Sequence, residues 1–384
     1  MKIAFEMQAV LSHEKTGVGL YAENLIRRVI HQNPRADFVL EYFSSRNTKA
    51  VREMVGTYAQ PHAIPHECRF PRSVYRSVAA LLPLPYRWFF RNNATIRHFF
   101  NFIVPPFCKG KKVVTVHDLG FKRFPETVMS KTRKLLRLGL GKSIKRADLV
   151  LADSAFTRQE ILHFYDCPAD KVRVLYAGVD TRVYHPGIPS DTIASAKEKY
   201  GIKGDYILYM GTLEPRKNIE RLLEAYIQLA NKRPDVPPLV LVGRKGWMYD
   251  GIFQKITEHG IQERVLFTGY VPEADKPALL SGALFFCFPS LYEGFGLPPL
   301  EAMACGTPVL VSDAASLPEV VGDAGLLVDP FSVADIMDGM ERLCADAALR
   351  EAMRTQGIQQ AKRFDWDQIS IELFQIYKSL EEST

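Results

Sequence analysis

The apolar positions of this chain fall into short, nearly continuous runs. They cover Lys2 to Met7, Phe38 to Phe43, Val113 to Val116, Ala147 to Ala152, Val172 to Leu175, Tyr206 to Met210, Pro238 to Val242, Val265 to Thr268, Ala283 to Phe288, Thr307 to Ser312 and Leu326 to Asp329. A strand covered on both faces reads this way, whereas a half-exposed strand alternates. Between the runs the spacing becomes helical. Ala22, Leu25, Ile26 and Val29 predict a helix from about Val18, and further helices are predicted at 219–230, 333–344 and 368–380. Strands alternating with helices build parallel sheets from βαβ units. The segment His185-Pro186-Gly187 to Ser190 interrupts the series, and at 384 residues the chain is long for one core. Two doubly wound domains are therefore expected, 1–187 and 188–366.

Composition adds limits. Apolar residues make up 47% and charged residues 24%, ordinary for a globular protein, and no apolar stretch is long enough to span a membrane. Glu6 interrupts any signal-peptide core, and the six cysteines form no CxxC pair, so free thiols in a reducing cytoplasm are expected. Charge divides the chain. Residues 1–190 carry roughly twice as many basic as acidic side chains, and the remainder is acidic. Between Glu67 and Asp118 no acid occurs, while Arg69, Arg72, Arg76, Arg87, Arg91, Arg97, Lys109, Lys111 and Lys112 alternate with aromatics. Two accounts compete for this stretch. In one, aromatics are core and arginines solvated; in the other, the stretch is a cationic surface that docks on anionic lipid. The basic helix around Lys131 to Arg146 reads as a solvated face over an apolar underside.

Chemistry concentrates in Pro289 to Gly306. A buried run leads into a loop holding Glu293, Gly294, Phe295 and Gly296; Leu297-Pro298-Pro299 then opens a helix carrying Glu301 in its first turn, and Gly306 ends it. A helix start behind a glycine loop is where an anion is held. Glu293 and Glu301, eight positions apart, resemble the E-x7-E signature of retaining glycosyltransferases with the GT-B architecture, two Rossmann-like domains facing a central cleft, and of the GT4 family in particular. Three other stretches are similar to that family and extend the likeness over essentially the whole chain. They are Gly17 to Leu25, the pair His117-Asp118 after a strand, and Gly211-Thr212-Leu213-Glu214-Pro215-Arg216-Lys217-Asn218.

The resemblance implies roles. Arg216, Lys217 and the helix start at Leu297 would hold the diphosphate without a metal, Glu301 the ribose hydroxyls, and Glu293 with the following amides the hydroxyls of the donor sugar. His117 would reach the sugar from the other domain. Gly17 and Gly19 would lie beside the diphosphate, and the strand ends at Gly243, Tyr270 and Val271 beside the base. Many members have an Arg directly after the glycine where this chain has Thr212. No residue is a candidate nucleophile, so the family's front-face mechanism is expected, the leaving phosphate oxygen helping to deprotonate the acceptor. The terminal helix, 367–384, would cross back onto the first domain. Asp365 and Asp367 spell D-x-D, but no nucleotide loop adjoins them and Asp367 reads as a helix cap. The implied donor is of GDP-mannose or UDP-glucose type; the acceptor is a saccharide, free or lipid-linked.

Other readings compete. Gly17, Gly19 and Ala22 match a dinucleotide pattern, but about ten residues separate them from the strand, and a nicotinamide oxidoreductase leaves Glu293 and Glu301 without a purpose. A sugar phosphorylase or nucleotide-sugar epimerase shares the fold. No nucleic-acid partner is expected, since only the basic first half suggests one.

Overall fold

The computed structural model describes residues 1–11, 17–45, 48–72, 74–75 and 84–383. Thr16, Arg76 and the Leu81-Leu82-Pro83 break lie outside these. The strands, numbered in chain order, are β1 (Lys2–Glu6), β2 (Asp37–Phe43), β3 (Ala63–Cys68), β4 (Ile96–Phe99), β5 (Lys111–Val116), β6 (Leu149–Ala152), β7 (Val172–Val174), β8 (Ile207–Met210), β9 (Leu239–Val242), β10 (Val265–Gly269), β11 (Phe285–Phe288), β12 (Val309–Ser312) and β13 (Gly325–Val328). They form a seven-stranded sheet ordered β3-β2-β1-β4-β5-β6-β7 and a six-stranded sheet ordered β10-β9-β8-β11-β12-β13. The ladders between named strands are all parallel. In each sheet the strand order reverses once, between β1 and β4 and between β8 and β11. Ligands of doubly wound sheets bind beyond the carboxyl ends at such a point.

The chain divides into two units. Met1–Lys122, Ser130–Ala177 and Trp366–Thr384 make up the first, and Arg123–Met129 with Gly178–Asp365 the second. The division falls after Ala177 rather than after residue 187, because β7 ends at Val174 and Gly178 onwards packs with the second unit.

In the first unit, Ile3, Ala4, Phe5, Val113, Val114 and Val116 are buried to the last atom. The terminal helix Trp366–Glu382 lies against the helix Gly17–Gln32: Trp366 meets Tyr21 edge-on at 5.7 Å, and Arg28 donates to Asp367 at 2.8 Å. Asp367 is thus inside the first turn and pairs with Arg28, not the cap residue expected from sequence. Two strands escaped the hydrophobic pattern. β3 is an edge strand with Pro65 in it, and β4 is central yet reads Ile-Arg-His-Phe. Arg97 is 2% exposed; it donates to Glu41 (3.3 Å), Asn92 Oδ1 (2.7 Å) and the carbonyls of Ala94 (3.1 Å) and Lys109 (2.5 Å). His98 sits between the Tyr377 hydroxyl at 2.6 Å and Thr115 Oγ1 at 2.8 Å.

Arg97 is therefore not part of a cationic surface. The aromatics of the acid-free stretch follow the core account at Tyr75, Tyr86, Phe90, Phe99 and Phe100, all buried, while Trp88 is exposed between exposed Arg87 and Arg91.

The second unit repeats the plan more regularly. Its strands β8, β9, β11 and β12 are buried throughout. The helix Ile219–Lys232 turns Leu222, Leu223, Tyr226 and Leu229 inward.

Candidate active site

β8 and β11 end side by side, and the loops after them are tied together by short-range chemistry. Asn218 takes a left-handed backbone (φ 60°) ahead of the helix Ile219–Lys232, and its buried amide donates to the carbonyls of Pro289 (2.9 Å) and Pro330 (2.7 Å). The Leu291 amide donates to the Arg216 carbonyl at 2.9 Å. Ser316, 0% exposed, reaches the Glu293 and Phe295 carbonyls from below, at 3.0 and 2.7 Å. Gly296 holds φ at 120°, a conformation that a side chain resists, and there the chain turns into the helix Leu297–Ala304.

This frame brings Arg216, Lys217 and Glu293 together. Arg216 Nη1 donates to Glu293 Oε2 at 2.9 Å and to the Tyr292 carbonyl at 2.5 Å, and Lys217 Nζ donates to Glu293 Oε1 at 2.6 Å. Burial alone would push the Glu293 carboxyl up. The adjacent Arg216 and Lys217 charges outweigh it and bring the group down to about 2. Glu214, buried and 2.9 Å from Arg216 Nη2, adds a second carboxylate. The four groups are formally neutral together, so a bound anion meets positioned donors rather than a surplus of positive charge. Sequence reasoning missed Glu214 and Ser316. Glu214 had a signal, being two residues from Arg216 in the same loop.

Glu301 stands apart from this cluster. It is 7% exposed, with the Tyr184 hydroxyl and Lys276 beside it. Tyr184 also lies 3.3 Å from Glu273, and Lys276 pairs with Glu273. Burial and the Glu273 charge push the Glu301 carboxyl up to about 7, although Lys276 and Tyr184 oppose them.

Gly211 and Gly243 end β8 and β9. Gly243 holds φ at 147°, and a Cβ there would come within 1.9 Å of the Gly211 carbonyl oxygen. Thr212 is half-buried, Tyr270 is 44% exposed and Val271 buried. Gly294 is buried, and Phe295 is turned inward, its ring 5.5 Å from that of Phe364, so Phe295 packs the loop rather than facing outward. Pro298 and Pro299 occupy the first turn after Leu297, and neither has an amide hydrogen to offer.

In the first unit, Gly17 and Gly19 belong to the opening turn of the helix Gly17–Gln32. His117 follows β5 and is 6% exposed. Its Nδ1 lies 2.6 Å from Asp153 Oδ2, and its Nε2 donates to the Phe100 carbonyl at 2.6 Å. Tyr21, one turn into that helix, meets the imidazole edge-on at 5.2 Å. Burial pulls the imidazole pKa down, but the Asp153 charge and both hydrogen bonds outweigh it, and the net displacement is upward. Nothing in the local sequence announced Asp153, which is 36 residues away.

Residues 192–360 match the family described as Glycosyl transferases group 1, and residues 15–183 match Glycosyltransferase Family 4. The chain is 34% identical to the O-antigen chain mannosyltransferase B of Escherichia coli, over 99% of this chain and 100% of that one. Among solved structures, it superimposes on the sucrose-phosphate synthase of Thermosynechococcus elongatus with a TM-score of 0.76, at 19% identity, over 100% and 99% of the two chains. It does so on Anabaena HepE in complex with UDP-glucose with a TM-score of 0.74, at 21% identity, over 99% and 100%.

Proposed function

Since the chain belongs to the group 1 glycosyltransferases of family 4 and carries their GT-B fold, we propose that this glycosyltransferase moves mannose, with retention of configuration and without a metal ion, from GDP-mannose to a saccharide acceptor in polysaccharide biosynthesis. The observation that carries the reading is the arrangement of Arg216 and Lys217 on one carboxylate, Glu293, at the switch point of the second sheet. The full-length likeness to a mannosyltransferase of O-antigen chains supports the choice of sugar.

Breaking the bond to the diphosphate places negative charge on the leaving oxygen and positive charge on the anomeric carbon. Glu293 fixes Arg216 and Lys217, so both donors are in place before that charge develops. Lys217 carries three protons and directs one at Glu293. Glu301 takes the ribose hydroxyls, and Glu293 with the amides after it the hydroxyls of the sugar. His117 acts on the sugar. In the absence of a second carboxylate in the role of nucleophile, the leaving phosphate oxygen assists deprotonation of the acceptor.

Product analysis with a panel of GDP- and UDP-sugars, run with and without inorganic phosphate and with excess EDTA, tests this. Transfer from GDP-mannose that needs no phosphate, survives EDTA and keeps the α configuration is the expected result. A phosphate requirement identifies a phosphorylase, and transfer from UDP-glucose alone identifies the donor type bound by HepE.

A second element of the reading is a lipid-linked acceptor met at an anionic membrane. No described helix is long and apolar enough to cross one. The observation in favour is the helix Ser130–Arg146, which has no acid and exposes Lys131, Lys134, Leu138, Lys142 and Lys145 along one stripe, Leu138 at 64%. Each such cation contributes about 1 kcal/mol near anionic lipid. Replacing Lys134, Lys142 and Lys145 with Glu should abolish sedimentation with anionic vesicles and leave turnover of a soluble acceptor intact. Equal sedimentation of parent and variant would remove the membrane from the account.

A further inference from the structure

His117 sits in a shell that leaves few choices for its protons. Asp153 Oδ2 and the Phe100 carbonyl oxygen, one at each ring nitrogen, are both 2.6 Å away. A carbonyl only accepts, so Nε2 carries a proton. At Nδ1 the facing group is a carboxyl that is 5% exposed and whose Oδ1 has no hydrogen-bond partner among the described residues. Burial raises the Asp153 carboxyl, and the charge and hydrogen bond of His117 oppose that, so an ionised Asp153 depends on His117 as its counter-charge. The charged groups around the ring are few. Asp118, next in the chain, adds a second negative charge and turns Oδ1 toward the Gly120 amide at 2.9 Å. From the helix Gly17–Gln32 comes only the uncharged phenol of Tyr21. From β4 comes His98, which burial keeps uncharged between Tyr377 and Thr115. The terminal helix contributes Tyr377 and, more remotely, Glu372, which act on Tyr21. Among the described residues, the ionised groups that act on the ring, Asp153 and Asp118, are thus both negative. The ring of Phe102 (φ 59°) also lies edge-on to it at 5.5 Å.

We propose that Asp153 is a positioning residue for the transfer reaction: with the Phe100 carbonyl it holds His117 as a doubly protonated cation in one orientation, so that His117 serves as a fixed charge and not as a proton acceptor. The proposal rests on the role given to His117 above. It differs from that role in assigning the protonation state and the residue that sets it.

The decisive measurement is the ring nitrogen spectrum of full-length protein carrying 15N-histidine, with His117→Ala identifying the signals. At pH near 7.5 both nitrogens of His117 should appear protonated, with a midpoint above the ordinary value of about 6.5. Asp153→Asn should lower that midpoint by about 1–3 pH units, the usual effect of removing one adjacent opposite charge. The alkaline limb of kcat for GDP-mannose turnover should move with it, while the KM for GDP-mannose stays within about twofold. A neutral ring in the parent, facing a protonated Asp153, overturns the proposal and leaves the role of His117 standing. A midpoint that moves while the rate profile does not overturns the role of His117 itself, and the positioning role with it. If Asp153→Asn fails to fold, the parent spectrum still decides, because a neutral ring there is sufficient to refute.

Discussion

Glu293→Gln removes one charge from the centre of the cluster while keeping its shape, and its cost follows from the structure. The carboxyl lies at about 2, against an ordinary value of 4.5, because Arg216 and Lys217 overcome the penalty of burying it. The difference of about 2.5 pH units, at about 1.4 kcal/mol each, is about 3 kcal/mol of stabilisation when the group is ionised. The sign follows from the direction. A lowered carboxyl stabilises above its unfolded value near 4.5 and loses that contribution as pH falls toward 2. The parent should therefore exceed the variant by about 3 kcal/mol near neutrality, and the gap should close progressively between about pH 5 and pH 2. The two units need not unfold together, so a global melting curve is a poor readout. Urea-dependent hydrogen exchange at the β8 and β11 amides, measured at several pH values, reads the second unit alone. A gap under about 1 kcal/mol near neutrality, or one that does not change with pH, would show that the charges do not hold the loop.

Glu301 has the opposite sign: its carboxyl is raised to about 7, so it favours the fold below about 4.5 and that contribution fades as pH rises through 7. Calorimetric GDP affinity of the parent should increase as pH climbs through 7, and Glu301→Gln should flatten this dependence and weaken binding by about 1–3 kcal/mol. Arg97→Leu should cost about 3–5 kcal/mol in chemical denaturation, because it strands the buried Glu41. Arg87→Glu and Arg91→Glu, both at exposed positions, should each cost under about 0.5 kcal/mol. Gly243→Ala places a methyl group 1.9 Å from the Gly211 oxygen at a φ of 147°, and it should destabilise by more than about 2 kcal/mol or abolish soluble expression.

Strands buried on both faces were legible because nothing charged or strongly polar interrupts them, as in β8, β9 and β11. β4 was not, since Arg97 and His98 look like surface residues until Glu41 and Tyr377 are seen beside them, 56 and 279 positions away. A buried polar side chain is identified by its partners, and distant partners leave no trace in a window of sequence. The same reason hid Asp153. Arg216, Lys217 and Glu293 were named through the resemblance of their two loops to the family's, with separate roles, and the structure brings the three side chains into contact. Their mutual neutralisation was not legible, because neither Glu214 nor Glu293 announces which cation it faces. Phe295 stood in the same loop motif, and spacing alone did not show that its ring is buried against Phe364.

The first unit is assembled from both ends of the chain. Tyr377 supplies a hydrogen bond to His98 on the central strand β4, and Trp366 packs on Tyr21 beside His117. The second unit draws on Gly178–Asp365 and one short earlier segment. During synthesis from the N-terminus, β1 to β7 emerge first, yet they wait for the last helix before His98 and Tyr21 acquire these partners. The later-made unit can close before the earlier one is complete. A nascent chain exposed only as far as Asp365 would thus carry a complete second unit and a first sheet without its last helix, a state open to chaperones and proteases for as long as that helix takes to appear.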